Sequence, residues 1–324
     1  MRAVQVTRFG GPEVLAVAGL ANPVAEPGQV VVDVDAVEVL FLDTQCRAGW
    51  GQEYFSFQPP YVPGTGVVGV VTALGDGVDE RWRGRSVVVR TGDGGAYVER
   101  VAVAAGDLFE VPAALDGHAA LAALHDGPTA LSRFENSGIE KGSRVLVTAA
   151  AGSLGSWLVP LAHAAGAHVV AAVRGEAKQR LALEHGADAV VDYSEPDWGD
   201  KVRAETGGNG VDVVFDGVGG AVGGSAYRVT ADGSRFFSYG AASGDFAEID
   251  PDDAARRGIT VVGIGQLTPD QWTRLTEQAL EELASGNVTA VIGQMVPLER
   301  AGDAHAAIEA RTVLGKTVLT VDRQ

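Results

Sequence analysis

The run Ala150-Ala151-Gly152-Ser153-Leu154-Gly155 is the segment whose residue types and spacing most directly suggest chemistry. It follows a short apolar run, residues 144–147, and opens a stretch of helical spacing, residues 154–165. A glycine-bearing turn between a strand and a helix is the setting in which a dinucleotide is bound. Gly152, beside Ala151, lets the backbone approach a pyrophosphate, and the amides of Ser153 and Leu154 can donate to it at the positive end of the helix. Gly155 lets that helix close on the sheet. The first position holds Ala150 where the fingerprint has Gly, and a plain strand–turn–helix would read the same way with no ligand.

The next apolar run, His168–Val173, ends in Arg174-Gly175-Glu176-Ala177-Lys178. NAD sites usually place a carboxylate at this strand tip, for the ribose hydroxyls. A guanidinium at Arg174 and an ammonium at Lys178 suit a 2′-phosphate instead, and predict NADPH over NADH. The plainer reading of the pair is a solvated helix start. A second concentration of chemistry is the aromatic segment 49–61, with Trp50, Tyr54, Phe55, Phe57 and Tyr61. These rings could wall a flat apolar substrate or simply pack the loop. Tyr54 carries the hydroxyl best suited to protonate a reduced substrate. No G-x-S-x-G elbow is present, so a serine hydrolase is unsupported. His118, His163, His168, His185 and His305 fall on helix or strand-edge positions and are read as structural.

The elements that must position these groups come in two styles. Before residue 104, Val-rich runs at Arg2–Val6, Gln29–Val39, Gly66–Leu74, 86–89 and 97–103 alternate with Gly and Pro clusters, the pattern of a partly open barrel. Residues 108–123 have helical composition. From residue 144, apolar runs at 144–147, His168–Val173, 189–191, 211–215, 234–238 and 259–264 are separated by helical segments at 154–165, 176–185 and 197–205. That alternation predicts a doubly wound parallel sheet. Residues 269–285 read as an amphipathic helix, and 288–292 and 316–321 as strands that rejoin the first domain. The expected domains are therefore 1–118, completed by 288–324, and 119–287. The fold class is α/β, a parallel Rossmann sheet plus a β-barrel domain.

The chain has 324 residues, a formal net charge of -17 and one cysteine, Cys46. So acidic a surface disfavours nucleic acid and anionic membranes as partners. A single cysteine permits no intrachain disulfide and no four-cysteine zinc lobe, which fits a reducing cytoplasm. No signal peptide or membrane-spanning stretch is read in the sequence.

Several stretches together resemble the quinone oxidoreductase, zeta-crystallin-like branch of the medium-chain dehydrogenase/reductase superfamily. They are M-R-A-V-Q-V-T-R-F-G-G-P-E-V at the start, Asp192-Tyr193, G-G-N-G-V-D-V-V-F-D-G-V-G-G from Gly207, and Gly315-Lys316-Thr317-Val318-Leu319. The resemblance covers essentially the whole chain. It implies a GroES-like barrel, a Rossmann domain, NADPH and a homodimer. It also implies cofactor contacts from Thr129, Tyr193, Val218, Tyr239, Gly240 and Lys316. Many members of the superfamily hold a catalytic zinc, but here the ligand positions carry Leu40 and Thr65-Gly66, with His125 near the third, so no metal is expected. The branch often has Asn where this chain has Leu40. Asp43 remains as a candidate in that loop, although the aligned acidic residue is usually structural.

The resemblance implies hydride transfer from NADPH to a quinone or an α,β-unsaturated carbonyl. Conjugate addition spreads its negative charge over an enolate or quinol and needs little carbonyl polarisation, so it suits a zinc-free site. Leu40, Phe41, Trp50 and Tyr54 are the expected substrate wall, and Tyr54 and Asp43 the catalytic candidates. Two alternatives stand: an enoyl reductase dedicated to a biosynthetic pathway, and a non-catalytic NADPH-binding regulator. The apolar run 258–264 predicts a homodimer joined at the edge of the Rossmann sheet.

Overall fold

The computed structural model describes every residue except Glu53, Tyr54, Asp93, Arg323 and Gln324. The chain divides into two compact units: Met1–His125 with Thr276–Ser285 and Val291–Gln324, and Asp126–Leu275 with Gly286–Ala290.

The second unit is built on a six-stranded sheet in the order Ala189–Asp192, His168–Val173, Arg144–Thr148, Val211–Asp216, Thr230–Ser238, Thr260–Val262. All of its pairings are parallel. Near-continuous apolar runs mark strands covered on both faces; accordingly Val145, Leu146, Val147, Val169 and Val170 are fully buried. Leu146, Val170, Val214 and Phe236 join Trp198, Val202 and Tyr227 in one core. The order reverses between the third and fourth strands, and such a reversal opens a crevice at the C-terminal strand ends. Thr260–Val262 closes the sheet on one side, with Val261 and Ile264 exposed.

In the first unit a seven-stranded sheet runs Ile292–Pro297, Lys316–Thr320, Gln29–Val39, Gly66–Leu74, Ser86–Arg90, Phe109–Glu110, with Arg100–Ala104 also paired to Gln29–Val39. Arg2–Val6 and Leu15–Gly19 form a separate antiparallel ribbon. Irregularities in the register of Gln29–Val39 against Gly66–Leu74 bend the sheet, as bulges do. Lys316–Thr320 pairs antiparallel with the far end of Gln29–Val39. Val30, Val32, Val37, Val67, Val87 and Leu319 fill the core.

Some boundaries differ from the sequence reading. Residues 108–123 are not one helix: Phe109–Glu110 is a strand, and only Gly117–Ala122 is helical. Pro112 has no N–H to give, and Asp116 caps the later start through its side chain, 2.9 Å from the Ala119 amide. The strand expected at 288–292 lies at Ile292–Pro297, where pairing to Lys316–Thr320 sets its limits. Phe41–Ala48 and Ala301–Glu309 are helices that the periodicity missed. Among the described residues no helix is long and apolar enough to cross a membrane.

Candidate active site

At the C-terminal strand ends of the second unit, Arg144–Thr148 runs into a strained turn in which Ala149 has φ 51. The helix Gly155–Ala164 follows with no capping side chain at its start. A Cβ at Gly155 would stand 2.6 Å from Ala150 Cα, so the helix approaches the turn too closely for any side chain. Gly152 differs. A Cβ there would meet only Ala149 O, at 3.2 Å, so packing alone does not demand glycine. A ligand that must lie on the backbone does demand it. Ser153 and Leu154 lead into the helix start, and Ala150 and Ala151 are buried under the turn.

On the neighbouring strand, Asp216 is fully buried at its strand end. Its Oδ1 accepts from Thr148 Oγ1 at 2.8 Å and from the amides of Val218 and Gly219 at 3.2 Å. Burial pushes this carboxyl up, against the opposing pull of those donors. The amides of Tyr239 and Gly240 both donate to Asp216 O at 3.1 Å. Arg133 lies over the Tyr239 ring and donates to Thr129 O at 3.1 Å. The structure thus gathers Val218, Tyr239 and Gly240 at one strand end, with Thr129 linked to Tyr239 through Arg133.

Arg174 is exposed, and Lys178 lies half-buried in the helix Glu176–Glu184. Tyr193 donates its amide to Val173 O at 3.1 Å and packs against the unit's core. The sequence reading missed Asp192, which pairs with Val173 and brings a carboxylate to the same tip. It accepts from the amides of Gly175 at 2.9 Å and Ser194 at 2.8 Å, so the loop backbone occupies it. Its position directly before Tyr193 was the available signal.

In the first unit, Glu38, Gly66 and Lys316 come together where three antiparallel strands share a rim. Glu38 is fully buried. One of its oxygens lies 2.7 Å from the Lys316 ammonium, itself 1% exposed, and the other contacts His125 Nδ1. His125 Nε2 lies 3.5 Å from Thr65 Oγ1. Burial alone would raise the Glu38 carboxyl, but the charges and hydrogen bonds of His125 and Lys316 hold it down at about 2. Gly66 makes the room, since a Cβ there would collide with the Glu38 carboxylate. Sequence reasoning missed Glu38. The signal was its phase: it follows Val30, Val32, Val34 and Ala36 on the buried face of its strand, where a carboxylate requires partners.

Leu40 follows that strand and is the N-cap of the helix Phe41–Ala48. Asp43 Oδ2 accepts from the Leu40 amide at 2.8 Å, and burial pushes the Asp43 carboxyl up to about 7. Asp43 therefore closes its own helix start. Leu40 and Trp50 are half-buried, and Arg311 lies over the Phe41 ring. Phe55, Phe57 and Tyr61 stack in series, at 6.1 and 4.7 Å between centroids, so part of the aromatic segment packs on itself. Tyr54 lies outside the described residues. His305, fully buried with Nε2 2.9 Å from Tyr97 Oη, is pushed down to about 3 by burial and the Arg47 charge, as befits a structural imidazole. Among the described residues no three His, Cys, Asp or Glu side chains gather as a metal site, and Cys46 is buried with its thiol pushed up to about 12.

Comparison with known proteins agrees with both units. The zinc-binding dehydrogenase family model matches residues 153–285, and the alcohol dehydrogenase GroES-like domain model residues 26–113. The probable quinone oxidoreductase of Schizosaccharomyces pombe is 30% identical, over 98% of this chain and 96% of its own length. The pig quinone oxidoreductase is 28% identical, over 98% and 97%. A mycobacterial protein solved with NADPH superposes with a TM-score of 0.90 at 31% identity, covering 99% of this chain and 100% of its own. Escherichia coli quinone oxidoreductase, also solved with NADPH, gives 0.90 at 26%, again over 99% and 100%. A glycine turn on a doubly wound sheet, joined to a GroES-like unit, defines a medium-chain dehydrogenase/reductase, and the chain belongs to that superfamily. Within it the chain falls in the zeta-crystallin-like quinone oxidoreductase branch, and it is an oxidoreductase.

Proposed function

We propose that this protein reduces quinones or α,β-unsaturated carbonyls with NADPH and without zinc. The observation that carries the reading is the turn at residues 149–155, where packing alone does not demand glycine at Gly152 and close approach of a ligand would account for it. The exposed guanidinium of Arg174, with Lys178 beyond it, suits the 2′-phosphate, and two relatives were solved with NADPH. Ala151, Gly152, Ser153, Leu154 and Gly155 would hold the pyrophosphate. Thr129, Tyr193, Val218, Tyr239 and Gly240 would line the rest of the cofactor, and Lys316 is carried over from the resemblance. Bound there, NADPH would supply the hydride.

On the acceptor side Leu40, Phe41 and Trp50 would offer an apolar wall that favours flat, weakly polar acceptors, and Tyr54, outside the described residues, is added to it from the sequence alone. Asp43 and Tyr54 are the donors proposed from sequence. Leu40 and Thr65 are not metal ligands and only His125 could be one, so no step runs through zinc despite the family model's description. A dedicated enoyl reductase would share this site and differ in breadth of substrate. The exposed edge strand Thr260–Val262 fits a homodimer.

The test is to follow NADPH absorbance against a panel of quinones and enones, before and after chelation. Oxidation that depends on acceptor and survives chelator is expected. NADPH binding without turnover of any acceptor would leave the non-catalytic regulator standing instead.

A further inference from the structure

The rim that carries Leu40 and Phe41 also carries a group that the proposed reduction has not yet used. Gln29–Val39 ends there, while Gly66–Leu74 and Lys316–Thr320 begin there, and His125 reaches the same place from the end of the segment after Gly117–Ala122. His125 touches Glu38 through Nδ1 and turns Nε2 towards Thr65. Its side chain is 15% exposed, whereas that of Glu38 is sealed at 0%. A buried carboxylate behind a partly exposed imidazole is the arrangement that orients and charges a proton-transfer group.

We infer that His125 is the catalytic acid of the proposed reduction, with Glu38 and Lys316 as its positioning residues. This rests on the reduction reading above. The acceptor takes a hydride, and with it both electrons, from NADPH, which leaves as NADP⁺. The resulting enolate or quinol monoanion needs one proton. The Nε2–H bond of the His125 imidazolium breaks, a C–H or O–H bond forms on the product, and neutral His125 recovers its proton from water. Glu38 holds Nδ1 and stabilises the imidazolium. Lys316 ties down the second Glu38 oxygen, so that the carboxylate keeps one orientation. Glu38 from its strand faces the ring, Lys316 stands behind Glu38, and the Glu38 charge is felt by Asp43 on the helix Phe41–Ala48.

The experiment measures kcat, NADPH affinity and the pH–rate profile for wild type, His125→Ala and His125→Asn. Asn keeps a polar group beside Glu38 if the alanine variant folds poorly. The expected result is a fall in kcat of about 10²–10⁴-fold, NADPH affinity unchanged within about twofold and loss of the alkaline limb of the profile. Added imidazole should restore part of kcat in the alanine variant. Wild-type turnover with undiminished kcat in the variants overturns the role of His125 and leaves the reduction intact. A fall in kcat with an unaltered pH profile and no imidazole rescue marks a structural role and also overturns it. Absence of turnover in the wild type overturns the reduction itself, and the acid with it.

Discussion

Glu38 and Asp216 are both fully buried carboxylates at strand ends, one in each unit, and they are driven in opposite directions. Glu38 faces a lysine and a histidine and is held at about 2. Asp216 faces a threonine hydroxyl and two backbone amides, and burial still raises it. The difference shows that neutral dipoles do not fully offset desolvation here, while full charges do. It also separates two uses of a buried acid. Asp216 fixes backbone, because the Val218 and Gly219 turn hangs on it. Glu38 fixes side chains, and through them a charge.

The largest test of that contrast is stability. Lys316→Met removes one partner of a sealed ion pair and should cost about 3–5 kcal/mol, read from denaturant unfolding. Asp216→Asn keeps an acceptor for Thr148 and should cost only about 1 kcal/mol. Equal losses would mean that the two carboxylates are held alike, and the comparison would fail.

Cations can be compared in the same way. Lys316 is buried and committed, whereas Arg174 is exposed at its strand tip. Arg174→Ala should leave thermal stability nearly unchanged but weaken NADPH binding at least about tenfold, since a charge-assisted phosphate contact is worth about 1.5–3 kcal/mol. NADH binding should hardly move. Titration calorimetry showing both cofactors weakened alike would remove Arg174 from the phosphate site.

Asp43 gives the smallest and most pointed test. Its folded value, about 7, lies above the ordinary 3.8. A carboxyl shifted in that direction contributes its stability in full below its unfolded value and loses it as pH rises through the folded one. Asn at this position does not titrate. The melting temperature of Asp43→Asn should therefore gain on the wild type between about pH 4 and about pH 8. A gap that stays constant with pH would show that the Asp43 carboxyl is not raised.

The parallel sheet and its glycine turn were legible because their signals are local: Gly152 and Gly155 stand three residues apart, and the flanking Val runs are continuous. The Glu38, His125 and Lys316 cluster was not, because its members lie on three distant segments that only strand pairing joins. Lys316 is the sharpest case. Its sequence context resembles a cofactor contact, while its ammonium lies against Glu38 inside the first unit. The strand expected at 288–292 was misplaced for a related reason, since its limits follow from the partner strand rather than from its own apolar residues.

The pairing of Lys316–Thr320 with Gln29–Val39 also orders events in time. On the ribosome, the strand that carries Glu38 emerges early and its lysine comes only after the whole second unit has been made. The Rossmann sheet, whose six strands are consecutive between residues 144 and 262, can close on its own schedule. The first unit must wait with an unpaired strand edge, and with Glu38 lacking its lysine, until residue 320 is free. A nascent chain could therefore acquire its nucleotide fold well before the rim bearing His125 exists, so assembly of the two halves of the chemistry is sequential by construction.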